Sequence, residues 1–223
     1  MNPGPAGSEP DDAPTDGTDR LSLPEEFLLL ALRDADGRRQ LSRSVLKVGL
    51  AGAKLAELAA LGAVELRGRN VVATGLATAT SLDHELELIR DKSRPHTAQH
   101  WVSHFESGRE LHRVLESLAQ KGIVDHVGAR AFGVVPVTRY PERNHDYEAG
   151  VLQRIRDALA GGAADARTAA LVGLLDATGL LPRLVGKDAD PAALKQLTHH
   201  QWPAHAVAAE LGAIAYAEEE ART

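Results

Sequence analysis

Three histidines, His96, His100 and His104, recur at intervals of four in the stretch RPHTAQHWVSHF, so on a helix their imidazoles share one face. That spacing is one a transition metal can use. The nearest carboxylates, Asp91 and Glu106, are poorly placed to complete a coordination set, so the stretch reads as a solvated face and no metal is expected. The pair His199-His200 beside Trp202 reads as surface, since adjacent helical residues point to different sides. Gly49-Leu50-Ala51-Gly52-Ala53-Lys54 carries two glycines and a lysine but lacks the phosphate-loop spacing, and no hydroxyl follows the lysine. Its glycines read as points of close helix packing. No Ser-His-Asp order or paired carboxylates stand out, so no catalytic residue, cofactor or enzymatic activity is expected.

The remaining chemistry is cationic. Arg43, Lys47 and Lys54 fall in a narrow arc of a helix whose other sides are apolar, with Val45, Val48, Leu55, Ala56 and Ala59 opposite. This reads as a core helix with one basic exposed edge. Arg38 and Arg39 precede it, and Arg109 and Arg113 stand one turn apart on a later helix. Side by side, Arg43, Lys47, Arg109 and Arg113 would converge on one anionic ligand through charge-assisted bonds.

The elements that must position these residues are mostly helical. Residues 1–20 carry five acids against one arginine and few large apolar side chains, a composition that reads as a disordered acidic tail. Order is expected from Leu21, giving one domain over residues 21–220. Ser22 caps a helix opened by Pro24, Glu25 and Glu26 and made wholly apolar by Phe27 to Leu32, with a turn at Asp34 to Gly37. The basic-edged helix, capped by Ser42 or Ser44, ends at Gly62, and Val64 to Thr74 reads as a hairpin turning at Arg67 to Asn70. A shift of 60 residues superposes Leu58, Gly62, Val64 and Gly68 on Leu118, Gly122, Val124 and Gly128. A second helix-then-hairpin unit therefore spans Arg109 to Val137, through convergence on one local design at least as readily as through duplication. Further helices are expected over Leu82–Arg90, from Arg94–Thr97 through Trp101 and Phe105, and over Tyr147–Leu159, Ala166–Thr178, Pro191–Leu197 and Pro203–Ala217. The fold class is mainly α: a helical bundle core, surrounding amphipathic helices and one or two β-hairpins.

Composition narrows the function. Apolar residues make up 43% of the chain but aromatics only 4%, so the core must be built from Leu, Val and Ala, which suits close-packed helices. A net charge of -6 argues against wholesale nucleic-acid binding. With no cysteine, disulfides and thiolate chemistry are excluded. No apolar run reaches membrane-spanning length and the N-terminus lacks a signal-peptide pattern, so a cytoplasmic location with peripheral membrane contact is expected.

Leu23-Pro24-Glu25-Glu26 with Leu28 to Leu32, Gly49 to Ala53 with Leu55-Ala56-Glu57-Leu58, Thr97 to Val102, and Leu118 to Val124 together resemble the ordered motifs of the Golgi phosphoprotein 3-like family. The Ala-rich, Lys-poor composition suits a bacterial-type member. The resemblance implies a helical domain with a protruding hairpin and peripheral membrane attachment through phosphatidylinositol 4-phosphate, held in a basic pocket. In eukaryotic members it also implies an adaptor role. Here the hairpin would be Val124–Tyr140, used for homo-oligomer contacts and membrane approach through a tip near Ala129, Ala131 and Phe132. The family's pocket tryptophan and arginine fall at Ser42 and Ala51, and two further pocket arginines near Gly108 and Leu111, so none of the four identities carries over. Arg43, Lys47, Arg109 and Arg113 would take over the headgroup. The alternative from another class is a tandem winged-helix-like DNA-binding regulator, since helix, glycine stop and hairpin occur twice.

Overall fold

The structure, a computed structural model, describes residues 20–32, 39–76, 80–125, 127–131, 135–141, 143, 145–186 and 189–222. The turn expected at Asp34 to Gly37 and nearly all of the acidic tail lie outside these. Ten helices and five short strands are present among the described residues, and the fold is mainly α.

Helix α1 (Leu23–Ala31) starts where Ser22 donates from its N–H and its hydroxyl to Oε2 of Glu25, at 2.7 and 2.9 Å. Here the chain reciprocates the usual capping of a helix start, with Pro24 in the first turn, where its missing N–H costs nothing. At the other end the Gln40 amide donates to the carbonyls of Leu30 and Leu32. Every residue of α1 is buried. Each of Phe27, Leu28, Leu29 and Leu30 contributes about 1.5–3 kcal/mol by leaving water.

Helix α2 (Arg43–Ala60) crosses the middle of the molecule, touching α1, α4 (Ala98–Phe105), α5 (Gly108–Gln120), α7 (Ala166–Ala177) and α10 (Trp202–Glu220). Ser42 is its cap, accepting from the N–H of Val45. Its glycines serve packing as expected. A Cβ on Gly49 would lie 2.3 Å from Cζ of Phe27, and one on Gly52 would lie 2.1 Å from Cγ2 of Val207. Two helices thus approach α2 closer than any side chain would permit.

One expectation for α2 fails. Lys54 is not on an exposed basic edge but is 3% exposed, because α3 (Asp83–Arg90) and α5 cover that side and bring carboxylates to it. With five elements around it, α2 has no free cationic stripe beyond its first two turns. The same burial removes the winged-helix alternative for this unit: Leu46 and Val48 to Leu58 are all buried, so α2 cannot enter a DNA groove.

After α2, β1 (Val64–Arg67) and β2 (Asn70–Ala73) pair antiparallel across Gly68-Arg69, as the sequence suggested. A third strand, β3 (His96–Thr97), joins β2 by pairing Val71 with His96. Helix α4 therefore begins at Ala98 with Thr97 as its cap, not at Arg94, because Thr97 accepts from the N–H of His100 while the residues before it pair in the sheet. The second hairpin, β4 (Val127–Ala131) with β5 (Val135–Arg139), pairs only with itself among the described residues. Its base is closed by Asp125 N–H to Pro141 O and Arg143 N–H to Ile123 O.

The 60-residue correspondence is local and accurate. Gly62 and Gly122 have φ of +69° and +70°, and the following amides of Ala63 and Ile123 return to Leu58 and Leu118. The ends of α6 (His145–Leu159) and α7 repeat the same bonds, through Gly162 to Asp157 and Leu180 to Leu175. Four helices share the device, so it reflects how this chain stops helices rather than a duplication. Helix α7 is central as expected, buried from Thr168 to Leu175. A short helix, α8 (Leu181–Val185), was not foreseen, and α9 (Pro191–Thr198) precedes α10. His199 and His200, expected to diverge, follow the last turn of α9 and place Nδ1 and Nε2 3.1 Å apart, both residues exposed.

Candidate functional site

The N-termini of α2 and α5 meet. Ser107 caps α5 by accepting from the N–H of Arg109, and the next residue, Gly108, leaves room for α2. An ideal Cβ on Gly108 would stand 3.3 Å from Nη2 of Arg43 and 3.9 Å from Cε of Lys47. The guanidinium of Arg43 is thereby held at the first turn of α5, where unpaired amides and the helix dipole favour negative charge. Arg109 is exposed in that same turn. Among the described residues no carboxylate pairs with Arg43 or Arg109. Lys47 is shared: its Nζ lies 3.1 Å from Oε1 of Glu106.

Arg113 stands apart from this group. Its Nη1 is 3.1 Å from Oε2 of Glu110, and that same oxygen is 2.7 Å from Nζ of Lys54. Lys54 in turn is 2.9 Å from Glu85. Two cations and two carboxylates form a neutral, mostly buried quartet joining α2, α3 and α5. Geometry therefore divides the four expected headgroup residues into a triplet at the head of α5 and one arginine engaged in closing the core.

At the positions corresponding to the family pocket, Ser42 is an exposed helix cap, while Ala51 and Leu111 are buried and Gly108 is the contact point for Arg43. In the packing around Ala51 no cation would reach solvent. Of the hairpin residues, Phe132 lies outside the described residues. Ala129 pairs with Val137, and Ala131 with Val135 in the last described pair of the ribbon. No helix among the described residues is long and apolar enough to cross a membrane.

The sequence reading missed Glu85 and Glu110 as partners of Lys54, and Ser107 as a cap. Ser107-Gly108-Arg109-Glu110 fits the pattern of a helix start, a hydroxyl residue three before a glutamate, which would have placed the head of α5 in advance. It also took Glu25 and Glu26 only as favourable charges in a first turn. Both are buried clamps. Lys121, which follows the last turn of α5, lies 2.7 Å from Glu25, whose other contacts include the Ser117 hydroxyl at 2.6 Å. Burial pushes the Glu25 carboxyl up, but Lys121, Ser117 and Ser22 together hold it below its ordinary value. Glu26 meets Arg154 on α6 at 2.6 Å, and there burial outweighs the arginine and holds the carboxyl above its ordinary value. Glu57 completes the set, accepting from Arg167 and from the N–H of Leu23.

The three histidines share one face, as expected. His96 and His100 stack with centroids 4.0 Å apart and planes 17° apart, and His104 continues the stack at 5.9 Å and 9°. In stacked rings the in-plane lone pairs run parallel rather than converge. Among the described residues no group of three ligating side chains is placed to hold a metal. The profile of the Golgi phosphoprotein 3 (GPP34) family matches residues 23–214, from the first residue of α1 into α10, and the chain belongs to that family.

Proposed function

We propose that this chain is a non-enzymatic, peripheral membrane domain that takes the anionic headgroup of a phospholipid, phosphatidylinositol 4-phosphate or one like it, at the head of α5. The observation that carries the reading is the seating of Arg43 against Gly108, which brings an unpaired guanidinium to a helix N-terminus. Arg43 supplies a planar fork that matches phosphate oxygens, Arg109 a second charge, and the α5 amides further donors. Lys47 joins when the incoming phosphate competes with Glu106. Membership of the Golgi phosphoprotein 3 family supports the choice of ligand. The Val124–Tyr140 hairpin, with Ala129, Ala131 and Phe132, serves as the apolar approach to the bilayer and as a contact between copies, on the cytoplasmic face.

Vesicle co-sedimentation tests this reading. Phosphatidylcholine vesicles carrying phosphatidylinositol 4-phosphate should pellet the protein, plain phosphatidylcholine should not, and salt should weaken binding. The double substitution Arg43→Glu and Arg109→Glu should abolish it. Binding that ignores anionic content, or survives that double reversal, overturns the proposal.

A further inference from the structure

The histidine stack precedes the head of α5 in sequence. His104 lies in the last turn of α4, and two residues on, Glu106 accepts from Lys47. All three imidazoles stand edge-on to the buried Trp101, at centroid distances of 5.7 to 6.0 Å, which fixes them as one ordered row. His100 and His104 are exposed and His96 is half-buried. Among the described residues no carboxylate pairs with any of the three. The acids of the adjoining elements are engaged elsewhere, Glu106 by Lys47 of α2 and Glu210 of α10 by the Gln99 amide. The charges that bear on His100 are His96, His104 and Lys92. Lys92 and Arg94, at the other end of the row, are exposed.

A row of imidazoles beside Lys92, with no carboxylate paired to it among the described residues, gains its charge in acid with nothing in the described fold to balance it. We propose that this face, Lys92 with His96, His100 and His104, is an acid-enabled docking surface for an anionic lipid bilayer. It extends the headgroup reading above and rests on it for the membrane as partner. Burial, followed by the neighbouring imidazoles and Lys92, holds the His100 ring below its ordinary value of 6.5, so the response comes at more acid pH than for a free histidine. A bilayer supplies the counter-charge the fold withholds, and so must raise the proton affinity of the row in return.

The test uses the full chain and vesicles of phosphatidylcholine with phosphatidylglycerol, a phosphodiester whose charge does not change between pH 7.5 and 5. Each cation gained near such a surface adds about fivefold to binding. Mutual repulsion keeps the row from charging fully, so about tenfold tighter binding at pH 5 than at pH 7.5 is expected. The substitutions His96→Gln, His100→Gln and His104→Gln together should remove that gain while leaving binding at pH 7.5 unchanged, and His199→Gln with His200→Gln should retain it. Carbon-detected histidine titrations should show the imidazole midpoints rising when vesicles are added. Binding at pH 7.5 with no gain in acid overturns this inference and leaves the headgroup reading standing. Binding only in acid, lost in the triple variant, supports the row. No binding at either pH overturns the acid-enabled surface and leaves the headgroup reading to the phosphatidylinositol 4-phosphate vesicles, and acid-enabled binding to duplex DNA but not vesicles overturns the lipid assignment.

Discussion

Phe27 occupies the space where Gly49 would carry a side chain, its Cζ 2.3 Å from the position of a Cβ. The contact locks α1 onto α2 at the centre of the core, with Phe27 wholly buried. Gly49→Ala gains up to about 1 kcal/mol in helix propensity but forces a packed ring to move, and the overpacking wins. A net loss of about 1–3 kcal/mol is expected in urea unfolding. Gly150→Ala makes the contrast, because nothing stands within 4 Å of its Cβ in the exposed face of α6, and a gain of about 0.5–1 kcal/mol is expected there.

Lys54 should be the most sensitive cation in the chain. Replacing it with Met leaves Glu85 and Glu110 buried against each other with only Arg113 near, at an expected cost of about 3–5 kcal/mol. Adding Glu85→Gln and Glu110→Gln removes the uncompensated charge, so the triple variant should recover most of the loss. Denaturant midpoints of the single and triple variants decide it. A triple variant no better than the single one would show that packing, not charge, sets the cost.

Arg43 and Arg113 should separate binding from stability. Arg43 has no carboxylate partner among the described residues, so Arg43→Ala should weaken anionic-vesicle binding with the melting temperature unchanged. Arg113 is engaged by Glu110, so Arg113→Ala should lower stability by up to about 1 kcal/mol, a modest figure because its side chain is 65% exposed, and leave binding intact. Paired melting and sedimentation measurements read both effects.

Glu25 and Glu26 should respond to pH in opposite directions. The folded pKa of Glu25 lies below the ordinary 4.5 of the unfolded chain, so its contribution is present above that value and is lost as pH falls through the lower, folded one. The stability gap between the protein and its Glu25→Gln variant should therefore be widest near neutrality and close in acid. The folded pKa of Glu26 lies above 4.5, so its contribution is full below 4.5 and is lost as pH rises through the raised value. Relative to Glu26→Gln, the protein should gain stability as pH falls from neutrality towards 4.5. Urea titrations at half-unit steps resolve the two slopes.

The helices were legible because apolar periodicity, caps and glycine stops are local signals, and the termini of α2, α3 and α7 fall within two residues of where Ser42, Leu82 and Ala166 place them. The wholly apolar run at Phe27 correctly announced a buried helix. What the sequence could not show was which charges leave solvent. Lys54 has the spacing of a surface stripe with Arg43 and Lys47, yet it is buried because α3 and α5 arrive from 31 and 56 residues away with Glu85 and Glu110. The strand at His96-Thr97 was equally hidden, since two residues carry no period and only β2 makes them a strand. The candidate site was half legible. Arg43 and Arg109 were named from type and spacing, but only the approach of α2 to Gly108 separates them from Arg113.

The clamps on α1 also bear on the order in which the chain can assemble. Glu25 waits for Ser117 and Lys121, Glu26 for Arg154, and the carbonyl of Leu21 for Arg167, 146 residues downstream. During synthesis α1 therefore leaves the ribosome well before the residues that clamp it. Helix α2 can cover the Phe27 face early, but contacts of such long sequence separation slow folding, and the faces of α1 that meet α5, α6 and α7 stay uncovered until those helices have emerged. A nascent chain halted before Arg167 should still present the α7-facing side of α1 to chaperones.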